Sequence, residues 1–174
     1  MATLEYTCVS CGERHVGLPS PGWAYPIHYV AIPQAERDRR ARLTSDTCII
    51  DNEYFFIRAC LDIHVHGVDE PLSWGIWVSL SRESFDRYLE LYEDQARTAG
   101  EYFFGWFCSP ISAYPMPQNL KTHVHVRPWP ERPSVELEPT DHPLAIDQRN
   151  GITMERAIEL IQPFLHAPQG TTCD

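Results

Sequence analysis

The sequence predicts an α+β fold: a single domain with one twisted, mostly antiparallel sheet of about five to seven strands and helices on one of its faces. A hairpin-like apolar run over residues 48–66 and alternating side chains over residues 120–145 predict the sheet. Apolar residues at helical spacing over 81–99 and 153–165 predict one long central helix and a C-terminal helix. Runs of strands interrupted by a helix are typical of this class.

Period-two alternation and turn residues locate the strands. Cys48-Ile49-Ile50 and the run from Tyr54 to His66 are separated by Asp51-Asn52, a typical turn pair. In the second run, Leu61, Ile63 and Val65 share one face and Asp62, His64 and His66 share the other, because successive side chains of a strand point to opposite sides. Further strands are predicted within residues 27–32, 73–80 and 101–111.

The central helix is predicted over residues 81–99, with a serine as its N-cap and Gly100 at its end. Its apolar stripe consists of Phe85, Tyr88, Leu89 and Tyr92. A shorter, highly charged helix is expected over residues 34–43, after Pro33. The last helix is expected from Thr153 to about Leu165.

The length of the chain limits the number of domains, and its charge limits the kinds of molecule that it is expected to bind. A chain of 174 residues is expected to form one domain over 1–166, with 1–20 as a zinc-knuckle-like segment and 167–174 as a disordered tail. The net charge of −10 argues against nucleic-acid binding, because phosphate contacts need clustered lysine and arginine. No apolar run reaches the ~20 residues of a membrane helix, and no signal peptide is recognisable, so we expect a cytoplasmic protein.

The strongest chemical motif is Cys8-Val9-Ser10-Cys11-Gly12, which has the spacing of a zinc knuckle. Two residues between the thiolates let both sulfurs reach one ion, and glycine tolerates the positive φ of the turn. A closed zinc site needs four ligands. His15 and Cys48 are therefore the first candidates for the other two positions, with His28 and Cys60 as the next choices.

The cysteines also allow other interpretations. Six cysteines without an export signal indicate reduced thiols or metal ligands rather than disulfides. The pair Cys8 and Cys11 is alternatively a redox pair or two unrelated thiols. Cys48 is alternatively a buried apolar residue beside Ile49 and Ile50.

Histidines provide a second hypothesis. The motifs His64-x-His66 and His123-x-His125 each place two imidazoles on one face of a strand, where they can bind one metal. The pair Asp141-His142 would supply a base, and the acid that orients it, for a nucleophile at Cys108 or Ser109. The alternative is structural: paired histidines on the solvent side of a strand, and a rigid turn over residues 140–143.

Several motifs follow one another through nearly the whole chain: Cys8-x-x-Cys11-Gly12-x-x-His15, Ser45-Asp46-x-Cys48-x-Ile50-Asp51, Trp74-Gly75-x-Trp77-Val78-Ser79-Leu80-Ser81, Phe104-Gly105-Trp106, Thr122-His123-Val124-His125-x-Arg127-Pro128 and Glu136 to Ala145. In this combination the sequence resembles the bacterial domain of unknown function family 2199. The resemblance implies an uncharacterised small bacterial protein. It also implies that His123, His125 and His142 occupy positions that match the family's pattern.

Two functions are predicted. The favoured one is a protein-binding or regulatory module with a structural zinc, because no convincing catalytic set is visible and an acidic, aromatic-rich chain suits a protein partner. That partner would have a basic surface, as a toxin would, since immunity proteins are often acidic. The alternative is a metal-dependent enzyme in which His123, His125 and His142 hold or assist an ion near Asp141.

Overall fold

The computed structural model describes residues 5–8 and 11–165, and these residues form a mixed α+β fold. The strands are β1 (Glu5–Thr7), β2 (Arg14–Val16), β3 (Ala41–Leu43), β4 (Thr47–Ile50), β5 (Tyr54–Ile63), β6 (Leu72–Leu80), β7 (Tyr102–Phe107), β8 (Lys121–His125) and β9 (Ser134–Leu137). The α-helices are α1 (Ile27–Val30), α2 (Arg37–Arg40), α3 (Arg82–Glu93), α4 (Pro143–Asn150) and α5 (Met154–Ile161), with 3-10 turns at Gln34–Glu36 and Gln162–Phe164.

Seven strands form one sheet in sequence order from β3 to β9, and each neighbouring pair is antiparallel. β9 also returns to β5, where Ser134 pairs with Cys60 in parallel. The Cys60 amide donates to the Pro133 carbonyl at 2.8 Å across this seam. Strands β5 to β9 therefore form a closed sheet, a barrel rather than the simple twisted sheet that we expected, and β3 and β4 extend it.

One face of the closed sheet carries the main core. Because side chains alternate along a strand, every second residue of β5 and β6 points to the same side. Helices α3, α4 and α5 add apolar side chains to this core. The buried residues that the strands contribute include Phe55, Ile57, Ala59, Leu61, Ile63, Leu72, Trp74, Ile76, Val78, Phe103, Phe107, Val124, Val135 and Leu137. The predicted alternation is thus the physical basis of the core.

A second, smaller cluster lies on the other face of β4, β5 and β6. It contains the buried side chains of Cys48, Phe56 and Trp77, together with Ile32 and Cys108. The segment around α1 covers this cluster: the Trp77 indole Nε1 donates to the Trp23 carbonyl at 2.7 Å. This hydrogen bond therefore holds the proline-rich connection between β2 and α1 against the outer side of the sheet.

The prediction of a single long central helix is wrong. α3 begins as expected after its N-cap Ser81, but it has 12 residues and ends before Asp94. The Asp94 carboxylate accepts the Ala96 amide at 2.8 Å, which turns the chain. The Arg97 guanidinium then donates to the last carbonyls of the helix, those of Leu91 and Tyr92, at 3.2 and 3.0 Å. Side-chain bonds at residues 94–97 therefore replace the helical bonds that the apolar spacing suggested.

Three shorter elements also differ from the predictions. Residues 27–32, expected as a strand, contain the helical turn α1. The charged helix expected over 34–43 is a 3-10 turn followed by α2, and β3 begins at Ala41. Helix α4 was not predicted at all. The C-terminal helix is present as α5 and passes into a 3-10 turn at Gln162–Phe164.

The predicted disordered tail, residues 167–174, lies outside the described residues. Within residues 5–8 and 11–165, none of the helices has the length and apolar character needed to span a bilayer.

Candidate metal site

The site begins with the hairpin of β1 and β2. The two strands have three residues each and pair antiparallel, with Tyr6 opposite His15. The rings of this pair stack at a centroid distance of 5.6 Å. Tyr6 is also buried in the main core, so it attaches the hairpin to the body of the protein. Strands this short are marginal by themselves in water.

Three donor side chains meet at the turn of this hairpin. The ligand atoms of Cys8, Cys11 and His15 all lie within 4.8 Å of one another. The turn is closed by the Gly12 amide, which donates to the Cys8 carbonyl at 2.9 Å, and by the Cys8 amide, which donates to the Glu13 carbonyl at 2.8 Å. Gly12 has a φ of 72°, which favours glycine. The backbone of the turn thus brings the thiols of Cys8 and Cys11 close together.

The spacing of these donors suits a zinc ion. The distance from Cys11 Sγ to His15 Nε2 is 3.5 Å. A tetrahedral zinc with a Zn–S bond of ~2.3 Å and a Zn–N bond of ~2.05 Å has a sulfur–nitrogen edge of ~3.6 Å. Thiolate and imidazole ligands together also favour zinc over magnesium or calcium. The residues present therefore fit a zinc ion.

Burial differs among the three donors. Cys8 is buried, His15 is half-buried and Cys11 is exposed. An ion bound here would have protein on the Cys8 side and solvent on the Cys11 side. Burial, and the charge that Cys8 and Cys11 carry as thiolates, raise the pKa of the neighbouring Tyr6. Its phenol therefore stays neutral beside the site.

A family model for uncharacterised proteins conserved in bacteria, DUF2199, matches residues 7–152 of the 174. The chain belongs to this family. The DUF2199 match includes Cys8, Cys11 and His15, and it extends through the closed sheet and α4. The family resemblance that the motifs indicated is thus confirmed. No curated protein and no solved structure matches the chain.

Cys48, expected as a fourth zinc ligand, is not part of the Cys8, Cys11 and His15 group. It is fully buried in the second cluster, opposite Phe56 on the neighbouring strand. Burial raises the pKa of its thiol to about 12, so it is a neutral thiol at pH 7. His28 packs its ring on Phe56 at 5.1 Å, and Cys60 lies on β5 opposite Gly75. Among the described residues, the group offers three donors.

His123 and His125 lie on the outer side of β8, as the alternation predicted. Their ring centroids are 6.5 Å apart. Each faces a glutamate of the neighbouring chain segment: His125 Nε2 is 3.2 Å from Glu136, and His123 Nε2 is 3.8 Å from Glu138. All four side chains are partly exposed. In the described part of the chain, these histidines belong to no group of three or more metal-binding side chains within 4.8 Å.

His142 is the N-cap of α4, and both of its ring nitrogens are engaged. Nδ1 accepts the Leu144 amide at 3.1 Å, and Nε2 lies 2.8 Å from the Pro115 carbonyl. Because a carbonyl only accepts, Nε2 carries the proton and Nδ1 keeps its lone pair for the helix. The structure therefore gives His142 a capping role, while the neighbouring Asp141 is exposed. The sequence does contain two signals for this helix, which are Pro143 at its first position and Gly151 directly after its last.

One exposed surface is not among the features that the sequence predicted. Tyr102, Phe104 and Trp106 on β7 point away from the core and are 64%, 43% and 40% exposed. We call these three residues the outer aromatic face. The rings of Phe104 and Trp106 contact each other edge to face at 5.2 Å, and Tyr102 lies beside His123 at 5.8 Å. The sequence signal for this surface is a strand with aromatic residues at both odd and even positions. Only one of these two sets can point into the core, so the other must point outward.

Proposed function

We propose that the protein is a zinc-binding module in which Cys8, Cys11 and His15 hold one Zn²⁺ ion. The observation that carries the proposal is the convergence of the three ligand atoms within 4.8 Å at the hairpin turn. The role of the ion is structural. It closes a hairpin whose strands are too short to be stable alone, and it thereby supports the packing of Tyr6 in the core.

The fourth position of the ion lies on the exposed side of the site. Structural zinc usually has four ligands, whereas three protein donors leave one position for water or another ligand. The described residues supply three, and the exposed member of the group is Cys11. We propose that water, or a donor from elsewhere, completes the tetrahedron on the side of Cys11.

Metal content per chain tests the zinc proposal. Protein purified in reducing, zinc-containing buffer is expected to hold one zinc, and Cys11→Ser or His15→Ala is expected to lose it. Cys48→Ala is the matched control, because Cys48 is a thiol outside the group. Replacement of zinc by Co²⁺ should give thiolate charge-transfer absorption in the wild type and weaker absorption in Cys11→Ser. Metal-free wild-type protein, or full zinc retention in both site variants, would contradict the proposal.

We propose protein binding in the cytoplasm as the role of this module, with a basic partner of the kind that immunity proteins bind. The outer aromatic face supports this, because aromatic residues are enriched where proteins contact one another. A net charge of −10 suits a partner of opposite charge. The enzyme alternative has less support, because a metal role for His142 would break its helix cap.

A comparison of two baits tests the protein-binding proposal. Wild-type protein and a Phe104→Ser variant would be cross-linked in lysate of the native bacterium, and captured proteins would be identified by mass spectrometry. The expected result is a basic protein that wild type captures and Phe104→Ser does not. Met116→Ser is the control, since Met116 is 78% exposed outside the outer aromatic face. Identical capture by wild type and Phe104→Ser at low and high salt would contradict this role.

A further inference from the structure

A cavity of about 300 Å³ opens on the outer side of the closed sheet, at one end of the outer aromatic face. It is separate from the metal-binding group at the hairpin turn. Its lining comes from α1, β5, β6, β7 and the loop between β7 and β8: His28, Tyr54, Phe56, Ser79, Trp106, Cys108 and Asn119. A volume of this size is at the lower end of the range for small-molecule sites.

Strand register explains why the cavity exists. Ser79 on β6 pairs with Phe56 on β5 and with Trp106 on β7, so a small residue lies between two large aromatic ones. All three point to the outer side of the sheet, opposite the main core. Neighbouring strands are ~4.8 Å apart, so the two aromatic residues are attached ~10 Å apart. Phe56 is only 1% exposed and closes the base of the cavity, whereas Trp106 is 40% exposed and offers an aromatic surface on which a ligand ring can stack.

The polar groups around the cavity are few and uncharged. The His28 ring packs against Phe56 at a centroid distance of 5.1 Å, and burial lowers the pKa of His28, so its imidazole is neutral at pH 7. Asn119 is held in place because its backbone, at a φ of 67°, donates from its amide to the Phe107 carbonyl at 3.0 Å. Tyr54 and Ser79 add hydroxyl groups.

The charge of the ligand follows from this lining. No lysine, arginine, aspartate or glutamate of the described chain lines the cavity. A charged ligand would therefore lose water without gaining an ion pair, which is unfavourable in an apolar site. An uncharged ring with one or two polar atoms at its edge would lose little hydration. It would contact aromatic side chains and neutral hydrogen-bonding groups in the cavity.

We propose that this cavity binds a small, planar, uncharged aromatic molecule, with its ring over Ser79 and stacked on Trp106 and its polar edge toward His28 and Asn119. This inference does not depend on the zinc proposal, because neither set of residues includes a member of the other. It shares only Trp106 with the proposed protein-binding surface.

Indole, as a neutral bicyclic probe with one donor, tests the inference. In ¹H–¹⁵N NMR titrations of the full-length, zinc-loaded protein, indole is expected to bind with a millimolar or lower Kd and to shift the Trp106 side-chain NH. Indole-3-acetate and tryptamine, which carry a charge on the same ring, should bind at least about tenfold more weakly, which is the discrimination that a lost hydration shell implies.

Two variants and one control locate the binding. Trp106→Ala is expected to weaken indole binding about tenfold or more, since it removes the ring on which the ligand stacks. Asn119→Gly removes the amide group and keeps the positive φ, so the backbone should be retained. Trp129→Ala is the control, because Trp129 is exposed and does not line the cavity.

Three outcomes would overturn the proposal: no NMR shift up to the solubility limit of indole, equal binding of the charged probes, or unchanged affinity in both cavity variants. A fourth is binding of a tryptophan-containing peptide at its indole ring without any binding of free indole. That result would make the cavity a part of the protein-binding surface. The zinc content of each variant, measured alongside, separates failure of this inference from failure of the zinc proposal.

Discussion

Asp46 and Arg132, which are 86 positions apart, are joined by a hydrogen bond of 2.7 Å from Arg132 Nε to Asp46 Oδ1. The side chains are only 12% and 19% exposed. Ser45 Oγ and the Tyr92 hydroxyl donate to the other carboxylate oxygen, at 2.5 and 3.3 Å. This carboxylate therefore links the start of β4, the end of α3 and the loop before β9. Arg132 directly precedes Pro133, whose carbonyl accepts the hydrogen bond that closes the sheet.

The Asp46 carboxylate should make stability depend on pH in the acid range. Burial raises the pKa of this carboxyl, but the bonds from Ser45 and Arg132, with a further one from Tyr92, outweigh burial and hold the pKa below its usual value. The carboxylate thus contributes stability that is fully present above the unfolded pKa of ~3.9 and is lost as pH falls through the lower folded pKa.

Urea unfolding from about pH 7 to pH 2 checks this. Asp46→Asn is expected to lower the free energy of unfolding by ~2–4 kcal/mol at neutral pH, because it removes the carboxylate charge from a largely buried ion pair with Arg132. The difference from wild type should shrink toward pH 2. Asp51→Asn is a suitable control, since Asp51 also binds an arginine, Arg40, but at the surface. An undiminished difference at pH 2 would show that the loss at pH 7 is steric.

Zinc removal should loosen the hairpin and leave the closed sheet intact. If the ion closes the turn between β1 and β2, a strong chelator is expected to accelerate amide hydrogen exchange in these two strands, because their few backbone bonds hold only weakly without it. Exchange in β5 and β6, which are buried in the core, should stay slow. Hydrogen exchange with mass spectrometry measures both regions. Cys11→Ser without chelator should reproduce the pattern, and unchanged exchange in the hairpin would argue against a structural ion.

His142 is expected to matter for stability and not for metal binding. His142→Ala removes the N-cap of α4 and should lower the free energy of unfolding by ~1 kcal/mol. His142→Asn should recover most of that loss, because asparagine is a good N-cap. Both variants should keep the zinc content of wild type. Loss of metal in His142→Ala, with a preserved fold, would favour the enzyme hypothesis that joins His142 to His123 and His125.

Arg58 is a buried cation, and we expect that replacing it with an apolar residue of similar length does not lower the stability of the protein. It is 8% exposed, and its Nε and Nη2 atoms have no hydrogen-bond partner in the described chain. Because an unpaired buried charge is costly, Arg58→Met is expected to match or exceed wild-type stability, by up to ~2 kcal/mol. Arg58→Ala should be less stable than Arg58→Met, since it leaves a cavity. Thermal unfolding measures this, and equal destabilisation by both substitutions would reveal a partner for the guanidinium.

Features that depend on residues close together in the sequence could be predicted from the sequence alone. Alternation in residues 54–66 and 73–80 predicted two strands, of which the first ends earlier, at Ile63. Their apolar face forms the core, because side-chain direction along a strand depends only on the backbone. Ser81 predicted the start of α3, since a cap acts within one turn. The spacing of Cys8, Cys11, Gly12 and His15 predicted a shared site, because a tight turn brings thiols two residues apart to one side.

Tertiary structure decided the rest, because contacts between distant residues carry no local signal. The pairing of Cys60 with Ser134 closes the sheet, and the separation of Cys48 from the metal-binding group follows from its burial beside Phe56. The cavity exists because three separate strands align Phe56, Ser79 and Trp106 in register. Spacing along the chain could place Cys8 and Cys11 together, but only the register of the sheet could place Ser79 between two aromatic rings.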